Sequence, residues 1–384
     1  MFWSSRRAMC SMLIITMLLG LALTIPAHAA GFWGPQQRLS AQGDDIVATD
    51  IAVDGNGTVH VVWSDGESIY HRTRSRTSWS DPQRIASGAA PKIAARLNGG
   101  IAMTFVVTVS AGEADVFYSR WHEGSGWNVP LNVSNTPYLS LTPSIAVHDD
   151  GRLAIAWSEQ SLENTLIYVA ASTDGAIWSV APISNARGHH PAATWMGDAL
   201  VVAWEDEFDL GFPMDIFVSQ QQGAGWTLPV NVSASPFRAS TLPTLTARDG
   251  TALLAWQEHV DSWHEIHMAH KSGTGWTVPA RIADADAYSP AIASEAVGNW
   301  HLLWTTDNMI RHRRSVANNW LSIETVAAGL TMAGGPALAV DSNSRTVHAV
   351  WLAPDGAATT KDVWYSRHEM LDMQPRLMLP LVRW

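Results

Sequence analysis

Two interleaved sets of tryptophans, with no helical period anywhere between them, predict an all-β chain: a seven-bladed β-propeller of four-stranded antiparallel blades. The first set is Trp33, Trp79, Trp127, Trp178, Trp226, Trp276 and Trp320, with steps of 46, 48, 51, 48, 50 and 44 residues. The second is Trp63, Trp157, Trp204, Trp256, Trp304 and Trp351, and Phe105 fills its one gap. A period of roughly 40 to 50 residues holding four short strands belongs to sheets repeated around an axis.

Each unit reads as four strands in order, as "SIAVH", "GRLAIAW", "LIYVAAS" and "WSVAPIS" show in the third. A proline precedes the first apolar run at Pro91, Pro143, Pro191, Pro243, Pro290 and Pro336. The second strand is apolar nearly throughout ("DALVVAW", "TALLAW"), as a strand buried on both faces must be. Clusters such as "DGNG", "HDDG" and "ARDG" supply the turns. The last unit ends at "DVWYSRHE" with three strands, and its missing outer segment occurs at the other end of the chain as "WGPQQRLS", residues 33–40. This predicts an N-terminal strand closing the last blade, which hides sheet edges from other chains.

The ends lie outside the repeat. Arg6 and Arg7, an apolar run from Met9 to Ile25 and then Ala27-His28-Ala29 read as a secretory signal peptide over 1–29, cleaved after Ala29. The expected location is secreted, extracellular or at the cell surface, with the propeller over 30–370. No other apolar segment is long enough for a membrane span. The single cysteine, Cys10, lies in the leader, so the expected mature chain forms no disulfide and depends on a large core. Losing Arg6 and Arg7 takes the net charge from −11 to −13, which argues against nucleic acid or anionic membrane as a partner. The tail 371–384, "LDMQPRLMLPLVRW", departs from the repeat and is broken by two prolines.

"STDGAIWS", residues 172–179, resembles the Asp-box of the sialidase and BNR-repeat superfamily, whose pattern is Ser-x-Asp-x-Gly-x-x-Trp. This copy is one residue short between Asp174 and Gly175. Unit four keeps Ser219, Gly223 and Trp226 with Gln221 in place of Asp, and unit five keeps Gly273 and Trp276 with Lys271 there. The resemblance covers most of residues 33–370. It implies a box in which the Asp caps turn amides and the Trp plugs the blade, on the face away from the mouth. For catalysis the superfamily uses an arginine triad, a Tyr–Glu nucleophile pair and an Asp acid/base at the mouth. Here the loops entering the first strands contain only Arg187 and Arg238, so the catalytic set is incomplete.

The mouth carries a pattern of its own. Asp65, Glu159, Asp206 and Glu258 each follow a second-strand tryptophan by two residues. Such a ring of carboxylates suits a cation such as calcium, sugar hydroxyls, or the acid and base of a glycosidase; equally, each caps its own turn. Around it stand Arg187, His189 and His190 ("ARGHHP"), Phe237 and Arg238 ("SPFRAS"), Tyr138 ("TPYLS") and Tyr288 ("AYSP"). The loop "WQEHVDSWHEIH" adds His259, Trp263 and His264. Aromatic rings beside hydrogen-bonding groups suit a carbohydrate. "WHEIH" is one residue short of the helical zinc motif, and on a strand His264 and His267 point to opposite faces. No metal and no cofactor is expected from it. The expected function is non-catalytic binding of a glycan or other extracellular ligand. The rivals are a glycoside hydrolase using Asp206, Glu258, Glu159 and Tyr288, and a scaffold for protein partners.

Overall fold

The computed structural model describes residues 32–370 apart from 76–77, 97–98, 208–212, 274, 284–285, 342 and 344. The expected leader over 1–29 and the tail over 371–384 lie outside the described residues. Within them the regular structure is β throughout, and no helix is long and apolar enough to cross a membrane.

The strands fall into seven antiparallel groups that follow the tryptophan period. The first strands are Ala48–Val53, Ala89–Ala95, Leu139–Val147, His189–Met196, Ser240–Arg248, Tyr288–Ser294 and Gly334–Asp341. Each packs against the next, and the seventh packs against the first. A parallel bridge between Leu139 and Ala114 joins the second and third groups into one nine-stranded sheet. Second strands are the most buried, as the pattern of apolar runs requires: Val59–Ser64, Trp300–Thr305 and Thr346–Pro354 are buried at every position.

The N-terminal strand Gln37–Arg38 pairs with Lys361–Glu369 through Gln37–Tyr365 and Arg38–Trp364, and a bridge joins Trp33 to His368. Leu39 N–H donates to Val363 O at 2.8 Å and Arg38 Nη1 to Asp355 at 2.7 Å.

The core is a set of seven clusters, each lying between two neighbouring groups. One tryptophan from the outer strand of each group reaches back to the third strand of the group before it. Trp127 meets His71 edge-on at 5.2 Å, Trp178 meets Tyr118 at 5.0 Å, Trp33 meets His312 at 5.1 Å and Trp79 meets Tyr365 at 4.9 Å. Trp226, Trp276 and Trp320 join the clusters that hold Val169, Val218 and Met268. These seven are half-buried, whereas Trp63, Trp157, Trp204, Trp256, Trp304 and Trp351 are fully enclosed. The two sets do different work: one fills each sheet, the other fastens it to its neighbour.

The outer strand differs from the continuous one that "WSVAPIS" suggests. In groups two, four and five it is two short pieces, such as Gly126–Trp127 and Leu131–Asn132, with Pro130, Pro229 and Pro279 between them. Proline has no N–H to give a ladder, yet group three keeps one strand, Ser179–Arg187, through Pro182, and group six splits into Asn319–Trp320 and Glu324–Ala328 without a proline.

Two outcomes follow. Trp226→Ala should cost about 2–3 kcal/mol in urea unfolding, and Trp157→Ala more, because its site is fully closed. Burial holds His71 down to about 3 and His348 down to about 4, so both are neutral in the folded chain. In the unfolded chain they take up protons below about pH 6.5, so their contribution is present above that pH and lost as pH falls. The urea midpoint should therefore drop on acidification from pH 6.5 toward 4, and His71→Gln should flatten that limb.

Candidate functional site

First strands begin on one face of the ring, here the upper face. Just before each first-strand proline the chain adopts a left-handed conformation: Ala90 (φ 49°), Thr142 (51°), His190 (48°), Leu242 (53°), Ser289 (49°) and Gly335 (54°). Proline disfavours this in the residue before it, and each of these strands shifts register there. The first group has no proline; it carries Asp50 without a register shift. The six bulges surround an opening of about 520 Å³ at the head of the central channel, with Asp50, Lys92 and His190 as its ionisable lining.

His190 is held there by Glu205, which is buried and bonds His190 Nδ1 while accepting the Leu242 N–H of the next group at 2.9 Å. The bond to Glu205 raises the His190 pKa, with burial opposing it. Burial raises Asp50, with Lys92 opposing, and Ile93 N–H donates to its carboxylate at 2.9 Å. Sequence reasoning missed Glu205, Asp50 and Lys92. The signal for Glu205 was its place directly after Trp204, on the strand side that faces the next group.

A second concavity lies on the same face between groups three and four. Arg187, His189 and Asp206 meet there with Glu163, Asn164, Thr165 and Met214 around about 210 Å³. Gly188, between the two basic residues, has φ 137°, and a Cβ there would come within 2.4 Å of Glu205 O and of the Trp204 ring. Only glycine lets the chain turn this close to the second strand and present both neighbours to the cleft.

A third grouping joins groups five and six. His264 Nε2 and His259 Nε2 are 2.8 Å apart, and Tyr288 lies 4.8 Å from the His264 ring. Burial raises the Tyr288 hydroxyl, and Asp307 and Asp286 add to it. Trp263, at the hairpin end, is 37% exposed.

The other expected residues are placed apart from these. Glu159 and Glu258 are buried inside their own sheets, where each accepts its tryptophan's indole N–H, at 2.7 Å from Trp157 and 3.0 Å from Trp256. Ser140 and Thr136 also donate to Glu159, and Ser240 donates to Glu258. Asp65 caps its turn through the N–H groups of Glu67 and Ser68. Tyr138 and Arg238 are exposed on the upper face, Tyr138 beside the start of the third group. Asp206 alone of the four carboxylates lines a cleft.

The box at 172–178 lies at the lower face and performs the expected capping. Asp174 accepts the N–H groups of Ala176 and Ile177 at 2.8 and 3.1 Å, and Ser172 Oγ accepts that of Gly175. Asn132 and Asn231 each begin an Asn-Val-Ser triplet of the N-glycosylation pattern, and their Nδ2 atoms, which a glycan would occupy, donate at 2.7 Å to Asp115 and Asp215. His148 lines the lower opening, of about 680 Å³, and converges with Asp150 and Asp198. Arg152 donates to both carboxylates, at 2.7 and 2.6 Å, and supplies the positive charge between them.

No family model matches the sequence, and no curated protein matches it. Among solved structures, the chain is similar to a protein of unknown function from Dyadobacter fermentans: 12% identity, TM-score 0.57, covering 89% of this chain and 100% of that one. It is similar also to the Penicillium chrysogenum α-L-arabinanase complexed with arabinobiose, at 12% identity and TM-score 0.54, covering 88% and 98%. An ulvan lyase, a polysaccharide lyase, aligns at 11% identity and TM-score 0.59, covering 85% and 95%. At such identities the likeness is one of fold, that of a β-propeller.

Glu258→Gln should lower stability by about 1–3 kcal/mol in urea, since Trp256 and Ser240 both donate to the one oxygen Oε2, and a neutral amide oxygen accepts those bonds more weakly than a carboxylate does. Gly188→Ala should cost about 3 kcal/mol or more by the same measurement, through the 2.4 Å contacts and the backbone angle.

Proposed function

We propose that this chain is an exported, seven-bladed propeller of the Asp-box kind that binds a carbohydrate on its upper face without turning it over. The observation that carries the reading is the cleft of about 210 Å³ in which Arg187, His189 and Asp206 converge on a turn that only Gly188 can make. The cleft offers cationic donors, an imidazole and carboxylate acceptors within the span of one or two sugar rings. Trp263 and Tyr138, exposed on the same face, provide flat apolar surfaces for the C–H faces of further residues. The seven antiparallel groups and the period of the tryptophans support a count of seven blades. The fold likeness to an arabinanase and an ulvan lyase sets the reading among proteins named for polysaccharides. Non-catalytic binding is favoured because Glu159 and Glu258 are committed to indole and hydroxyl donors inside their blades.

A glycan array followed by calorimetry tests this. Saturable binding is expected, weakened about ten-fold or more by Arg187→Ala, the loss of one charge-assisted contact. A flat array would sink the proposal. A hydrolase remains the second reading, because Glu163 and Asp206 line the same cleft. It requires turnover of aryl glycosides that disappears in Asp206→Asn and Glu163→Gln while the glycan still binds.

A further inference from the structure

Groups one and six bury histidine pairs at matching positions on their second and third strands, His60 with His71 and His301 with His312, eleven residues apart in each case. The inner contact is the same in both, Nδ1 of the first ring facing Nε2 of the second at 3.0 Å. The ends differ.

In group one the Trp127 indole N–H donates to His71 Nδ1 at 3.1 Å. An indole nitrogen only donates, so His71 Nδ1 is an acceptor and the His71 proton is on Nε2. It is donated to His60 Nδ1, which leaves the His60 proton on Nε2, 3.5 Å from Asp54. Two neutral imidazoles, one proton each, complete this relay.

Group six has a carboxylate at both ends. His301 Nε2 is 2.9 Å from Glu295 Oε1, and His312 Nδ1 is 3.1 Å from Glu324 Oε2. Each carboxylate demands an N–H from the ring beside it, and the inner contact demands a third. Two neutral rings carry two protons. With only those, either two lone pairs face each other at 3.0 Å or one carboxylate faces a lone pair, in a site where an unmade hydrogen bond is costly.

We infer that the relay Glu295–His301–His312–Glu324 is a buried proton-binding site, holding one proton more than its counterpart in group one. The proton belongs to the imidazole pair. Imidazole is more basic than a carboxylate, and Glu295 is further occupied as an acceptor by Asn299 Nδ2 at 3.2 Å. Both imidazoles are fully enclosed and Glu295 is buried. The added proton offsets one of the two negative charges, those of buried Glu295 and half-buried Glu324. The surrounding groups are Arg314 on the third strand of group six, His368 of group seven with Nε2 3.6 Å from Glu324, and the Trp33 ring edge-on to His312. Burial, with Arg314 and His368 beside it, pushes both rings down, and Glu295 and Glu324 oppose that; against this burial stands the third hydrogen bond.

Glu324→Gln tests the count. An amide can donate to His312 Nδ1 as Trp127 does to His71, so the variant relay closes with neutral rings. In the wild type the folded state holds a proton that the unfolded state gives up above about pH 6.5. Its stability therefore falls as pH rises, the folded-to-unfolded ratio dropping about ten-fold further per pH unit than in Glu324→Gln until the proton leaves. His190, raised by Glu205, adds the same slope to both proteins and cancels in the difference. Urea unfolding from pH 7 to 8.5 reads that difference. Long-range proton–nitrogen spectra of the histidine-labelled wild type at pH 7 should show one imidazolium shared by His301 and His312, which decides the matter even if the variant does not fold. Equal slopes in the two proteins, or two rings each with a bare nitrogen, would overturn the assignment.

Discussion

The contact on which the rest depends is an indole laid against the third strand of the preceding group. A four-stranded sheet has two apolar faces and cannot bury either alone. Such sheets arranged around an axis bury both, provided that each is fastened to its neighbour at the rim as well as at the hub. At the hub the fastening is continuous, first strand against first strand. At the rim it rests on one tryptophan per group, and the partner it meets varies: histidine, tyrosine, valine or methionine. Everything on the upper face inherits its position from these seams, because its residues come from neighbouring groups. His190 reaches Glu205 within its own sheet, yet Glu205 also fixes Leu242 of the next.

The upper opening shows what the prolines are for. A non-glycine residue held left-handed before proline is strained, and this recurs five times around one aperture, with glycine at the sixth place, Gly335. The bulge rotates the chain so that small side chains border the channel: Ala90, Thr142, Ser289 and Gly335. His190 and Leu242 are the large exceptions. The first group, without proline, contributes Asp50 beside Lys92. The ionisable groups of the aperture thus come from groups one, two and four, and the remaining groups line it with uncharged residues.

Architecture was legible in the sequence because packing requires the same residue type at the same place in every repeat. The tryptophan period, the apolar second strands and the displaced N-terminal segment each encode a geometric need that recurs. The site was less legible because one spacing serves two purposes. A carboxylate two residues after tryptophan reads as a ligand group, yet in Glu159 and Glu258 it satisfies the tryptophan itself. Asp206 has the same spacing and lies in a cleft, while its neighbour Glu205 bonds His190. Nothing in the spacing separates these outcomes; they depend on which hydroxyls and amides stand nearby in other strands. The histidine relays were invisible for the same reason, as their ends are set by residues from another turn or another group.

The closing strand has a consequence for how the molecule comes into being. Ser366 Oγ donates to Gly34 O across 332 residues of chain, and contacts so distant in sequence form slowly. The segment around Gln37 is made near the beginning and has no partner until Lys361–Glu369 exists. During synthesis, and during any passage through an export channel, the ring is an open arc with an unmated edge at its last group. The first strand to be made is the last to be placed.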